Sequence, residues 1–225
     1  MTNPDSDGLF DNDWDDCGEL SWTEADWLKY LANQETAVRD YIKHYDQLPA
    51  GMDRIDEAAR RMGWELAEAE TPEAIEEQDE IDDLPENFDG PWDPYTLHRN
   101  PVYISTRALY LSLLAHWERI AVQPDRVSPA LGISMHSLLY RGHEQALQAV
   151  QALEMGDYTL AVVLFKKALH ELNLTLARLG EEDANTPSAQ RFKEYALPRL
   201  FDLREIWLRV MNECRQNHGG SAPLE

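Results

Sequence analysis

Apolar residues in this chain recur every three or four positions, in runs of roughly 20–29 residues separated by Pro and Gly. That spacing lines up side chains along one stripe of a helix, since a helix turns once in about 3.6 residues. No segment alternates apolar and polar residues with the period of two that a half-buried strand needs, and no Gly-containing turn joins β-branched runs. An all-α chain is therefore expected. Runs this long, joined by short connections, favour antiparallel neighbours and an up-down bundle.

The first helix is expected from Thr23, where Thr23-Glu24-Ala25-Asp26 is a variant capping box with Asp at its third position. Leu28, Leu31, Val38, Tyr41, Ile42 and Tyr45 follow at helical spacing, and Pro49-Ala50-Gly51 ends the run. A second helix is read from about Met52 to Ala69 on the stripe Ile55, Ala58, Ala59, Met62, Leu66, which makes a helical hairpin. Thr71-Pro72-Glu73 opens a short helix, and three prolines and a glycine between residues 79 and 95 forbid regular structure there. Four helices are expected beyond. The first spans roughly 100–122, apolar on nearly every face and so central. The second runs from Ser128-Pro129 to Met155, with Gly132 and Gly142 as points of bending or late start. The third is opened by Asp157 after Gly156. The fourth runs from Thr186-Pro187 to about Arg215, kinked or split at Pro198. The expected organisation is an acidic irregular arm (1–22), a hairpin (23–70), an acidic linker (71–98), a four-helix bundle (99–215) and a disordered tail (216–225), with the hairpin packed on the bundle.

Charge is segregated along this plan. The formal net charge is −22, and residues 1–22 and 62–98 hold 7 and 13 acids with no base, which leaves the rest of the chain at −2. A chain this acidic is a poor ligand for nucleic-acid phosphate, which is bound by a positive face that displaces counterions, and for anionic membrane surfaces. No run approaches the ~18 apolar residues of a membrane span. The start lacks the basic and apolar regions of a signal peptide. Cys17 and Cys214 have no CxxC spacing, which excludes a disulfide scaffold and fits a reduced, cytoplasmic setting.

Few residue patterns carry chemistry. Gly156-Asp157-Tyr158 with Ala161, Phe165, Ala168 and Leu169 resembles the second half of a tetratricopeptide repeat, where small residues let two helices approach and an aromatic fills the groove between them. The resemblance implies peptide or protein binding. It covers about 14 residues; Gln145, Gln148, Ala149 and Ala152 stand where the family carries an aromatic, Leu, Gly and an aromatic, and no second copy follows. Adjacent His-Glu pairs at His143-Glu144 and His170-Glu171, and His116 with Glu118, raise a metal site. Yet no histidine has Glu three positions before it, as a carboxylate-bridged di-iron bundle needs, and no His-x-x-x-His occurs. Asp11-Asn12-Asp13-Trp14-Asp15 opens like a calcium loop, but Asp16 and Trp22 occupy the Gly and Glu positions of an EF-hand. No metal, cofactor or catalytic residue is assigned.

On the central helix, Ile104, Ala108, Leu111, Ala115, Glu118 and Val122 share one stripe, which predicts an inward-facing Glu118; Arg107 shares another with Tyr103, Tyr110, Leu114 and Trp117. A buried charge must be paired or change its pKa, so this region is the expected polar pocket. The acidic segments carry Phe10, Trp14, Leu84, Phe88, Trp92 and Tyr95, apolar anchors that plain solvating linkers lack, which would dock either on the chain's own bundle or on a basic partner. The sequence thus points to a non-enzymatic interaction or adaptor protein that takes a peptide or a basic protein partner, with Arg107, Tyr110, His116, Glu118, His143, Tyr158 and Trp207 as binding candidates. The alternative is a helical-bundle enzyme or metal protein with a polar site in its core.

Overall fold

The computed structural model describes residues 23–49, 53–64, 97–181 and 184–219. The acidic arm 1–22 with its calcium-like loop, the short helix expected at Thr71, the linker up to residue 96 and residues 220–225 lie outside the described residues. Among the described residues six α-helices form, α1 (Glu24–Asp46), α2 (Arg54–Arg61), α3 (Pro101–Ala121), α4 (Pro129–Glu154), α5 (Tyr158–Arg178) and α6 (Pro187–Gly219), with a 3-10 turn at Leu97–Arg99. No strand occurs among the described residues. The chain is all-α, and no helix in the described residues is long and apolar enough to cross a membrane.

Helix starts follow side chains that satisfy the first free backbone N–H groups. The Thr23 hydroxyl accepts from the Asp26 N–H while the Asp26 carboxylate accepts from the Thr23 N–H, which completes the capping box. Ser128 and Asp157 cap α4 and α5, and Thr186 accepts from the Ala189 N–H at the start of α6. Two further caps were not singled out from the sequence: Asp53 opens α2, and Asn100, directly ahead of Pro101, opens α3 by accepting from the N–H groups of Val102 and Tyr103.

Two helix ends depart from expectation. The second helix stops at Arg61 instead of running on to Ala69. Gly63 takes a left-handed conformation, and the Trp64 N–H bonds back to the Ala59 carbonyl, a closed C-terminal motif that ends the helix. α6 runs unbroken through Pro198 and on to Gly219, beyond the expected end at Arg215 and into the residues read as a tail. α4 likewise begins directly at Pro129 and is continuous through both glycines. Gly142 serves close approach: a Cβ there would stand 2.5 Å from the Tyr110 hydroxyl of α3.

α3, α4, α5 and α6 pack in a ring, each on the next, and α6 closes onto α3. Directions follow from the pairs that meet. Trp117 bonds to Gly132 and Tyr110 lies against His143, so α3 and α4 are antiparallel. Arg141 meets Glu171 and Ser134 meets Arg178 across α4 and α5. Trp117 lies on Phe192 while Thr106 bonds to Trp207 across α3 and α6. The hairpin sits outside this ring, α1 on α3 and α2 on α6. Trp117, Trp207, Phe165, Phe192, Tyr110 and Tyr41 are fully buried; truncating a ring of this kind to Ala costs about 3–5 kcal/mol.

Candidate functional site

The seven candidate residues do not form one site. Tyr110, His143 and Trp207 come together in the bundle core. The Tyr110 ring stacks on Trp207 at 6.0 Å and lies 5.4 Å from the His143 ring, and the Trp207 indole N–H donates to the Thr106 hydroxyl at 3.2 Å. His143 is buried with its Nε2 unpartnered. Burial, helped by the charge of Arg107, pushes its pKa down to about 4, so it is neutral at pH 7. Arg107 is half-buried and donates to the Tyr103 hydroxyl at 3.4 Å. Tyr158 is half-buried at the start of α5.

His116 and Glu118 lie elsewhere. His116 stacks on Tyr195 of α6 at 4.2 Å, and burial lowers its pKa. Glu118 does not point inward. Its side chain is 58% exposed and pairs with His136 of α4 at 3.7 Å. Among the described residues, the stripe that predicted it is covered only at Ile104 and Ala108, and from Leu111 through Ala115 and Glu118 to Val122 it is exposed, because none of the described helices lies over that half of α3. No polar pocket assembles around Glu118, Arg107 and His116. Among the described residues no three His, Cys, Asp or Glu side chains converge as a metal-ligand set.

Where the stripe is bare, a cleft of about 450 Å³ opens between the last turn of α3 and the first turns of α4. Trp117, Ala121, Val127 and Gly132 line its floor and walls, and Val122 and Ile133 stand at the mouth, 73% and 70% exposed. Glu118 and His136 supply its main polar edge. Isolated exposed apolar residues are ordinary on a folded surface; several around one concavity mark an interaction site.

A second feature, absent from the sequence reading, joins hairpin to bundle. The Tyr45 hydroxyl, fully buried on α1, donates to the Asp202 carboxylate of α6 at 2.5 Å. Arg199, 6% exposed, pairs with Asp46, donates to the Tyr195 carbonyl at 2.9 Å, and lies 3.6 Å over the Tyr195 ring. Arg209 bridges to Asp53 and Asp56 of the second hairpin helix. Burial raises the pKa of Asp202, and desolvation with the Asp202 hydrogen bond raises that of Tyr45. These partners are more than 150 residues apart in sequence, and no local signal marks them. Tyr45 and Arg199 are buried, Asp202 is half-buried, and Asp46, Arg209 and Asp53 stand at the exposed rim, so that together these contacts serve as a seam.

No protein-family model, no curated protein and no solved structure matches this chain. The tetratricopeptide resemblance stays local to the α4–α5 turn, where Gly156 adopts a left-handed conformation, Asp157 caps α5, and Ala161, Phe165 and Ala168 are buried.

Proposed function

We propose that this chain is a non-enzymatic helical interaction protein and that the α3/α4 cleft takes the apolar side chains of an amphipathic segment from a basic partner. The observation that supports the reading is the bare half of the α3 stripe opening into an apolar cleft on the central helix of the bundle. A helix laid in a groove presents anchors at i, i+3, i+4 and i+7, and Leu111, Ala115 and Val122 offer a complementary row. The net charge of −22 steers cationic partners toward the molecule, and Glu118 stands at the mouth to meet a base.

The test uses the full chain and a synthetic amphipathic Lys/Leu helix as probe, read by fluorescence anisotropy. Val122→Asp with Ile133→Asp is expected to weaken binding about tenfold or more, the loss of about 1.4 kcal/mol. Both positions face solvent, so the fold should survive, as circular dichroism will check. The added acids increase attraction to a cationic probe, so weaker binding reports the lost apolar contact. Unchanged or tighter binding by the double variant would overturn the reading.

A further inference from the structure

A second concavity lies further along α4, in the groove it forms with α5. It measures about 490 Å³ and is lined by Tyr140, Arg141, Gln145, Val163, Lys166 and Lys167, among others. Its charge is unlike that of the chain. Lys166 and Lys167 are exposed and form no ion pair among the described residues, and His170 lies one turn on. Of the two acids on the groove, Glu171 is taken by Arg141 at 3.2 Å, which leaves Glu144. Tyr140 and Val163 are exposed apolar surface beside the lysines. Inside the groove, the Oε1 of Gln145 is buried without a hydrogen-bond partner. Such a group costs about 1–3 kcal/mol when left unmade, and a ligand that brings an N–H satisfies it. A groove with free cations, an apolar wall and an unpartnered acceptor fits a peptide: carboxylates for the lysines, a ring for the wall, a backbone N–H for Gln145.

The chain holds such a peptide close by. Residues 79–95 carry seven acids and no base, with Leu84, Phe88, Trp92 and Tyr95 among them. The described chain resumes beside α4 two residues beyond them, where the 3-10 turn at Leu97–Arg99 packs on α4 and the Asn100 amide donates to Glu154 near its C-terminus. From Glu154 the groove runs back along α4 from Gln148 to Tyr140, about 9 to 21 Å at ~1.5 Å per residue. Trp92 is five residues from Leu97 and Phe88 nine, spans of up to about 17 and 30 Å. The tether also holds the segment at an effective concentration of order millimolar, whereas an acidic partner arriving from solution meets a molecule of net charge −22. We infer that the α4/α5 groove is a binding site for an acidic, aromatic-bearing peptide and that residues 79–95 of the same chain are its occupant.

The experiment measures a labelled synthetic peptide of residues 79–95 against three forms of the full chain. In the first the seven acids between Asp79 and Asp93 are replaced by their amides, which frees the groove. The second is wild type. The third adds Lys166→Glu and Lys167→Glu to the first. The peptide is expected to bind the neutralised chain about tenfold or more tightly than wild type, where the tethered segment competes. Reversing the two lysines is expected to weaken binding by a similar factor, and high salt should weaken it too. An equal charge reversal on α1, Arg39→Glu with Lys43→Glu, is expected to leave it unchanged. Equal affinity for wild type and neutralised chains would overturn the assignment of the occupant, leaving a groove that takes acidic peptides from elsewhere. No loss on reversing the lysines, or no binding to the neutralised chain, would overturn the site itself. The α3/α4 cleft uses other residues, so either failure leaves that reading standing.

Discussion

His143 shows how a single side chain can be held against its solution chemistry. It is buried beside Tyr110 with one nitrogen unpartnered, a place that tolerates the neutral ring and rejects the cation. Its folded pKa of about 4 lies below the usual 6.5. Between those values the unfolded chain binds the proton and the folded chain does not, so His143 leaves stability intact above about pH 6.5 and removes it as pH falls toward 4. The full loss is about 3 kcal/mol at ~1.4 per pKa unit. Denaturant unfolding of His143→Gln across this range is expected to show a shallower decline than wild type. Parallel pH profiles would place the ring in contact with water. Glu118 gives the converse lesson. Its stripe was legible, but α3 is apolar on nearly every face, and a helix with several usable stripes does not say which one its neighbours will leave bare.

Elements carry the clearest local signals. Among the described residues a hydroxyl or carboxylate ahead of Pro or an apolar run opens α1, α4, α5 and α6, because the cap and the N–H groups it satisfies lie within one turn. Thr23, Ser128, Asp157 and Thr186 were all readable on that ground. Gly63 was equally local, and the left-handed turn it permits halts α2 against an apolar pattern that continues past it. How the elements join is another matter, as the seam between hairpin and bundle shows. Arg199 is buried, but its partner Asp46 is about half exposed. Arg199→Ala is therefore expected to cost about 2 kcal/mol, less than loss of a fully buried pair. Hydrogen exchange should show the effect first in α1 and α2, with the α3–α6 ring protected as before. Uniform loss of protection would mean that hairpin and bundle open as one unit.

Over the whole molecule the dominant quantity is charge. Nearly all of the −22 resides in two short segments, whose self-repulsion opposes the compact state and is screened by salt. Raising sodium chloride from low millimolar to several hundred millimolar is expected to raise the thermal midpoint by roughly 2–4 °C, the equivalent of about 1 kcal/mol for a chain of this size. A lower midpoint at high salt would show that ion pairs such as those of Arg209 outweigh the repulsion.

Helix content, most helix starts and the segregation of acids were legible in the bare chain, because caps, periodicity and charge runs act over a few neighbouring residues. Long-range assembly alone settled which face of α3 lies open, where Tyr45 finds Asp202, and that Arg141, Gln145, Lys166 and Lys167 share one groove. Each of those depends on which helices lie side by side, and that is decided by burying the largest apolar stripes of all the helices together, a condition no single segment carries.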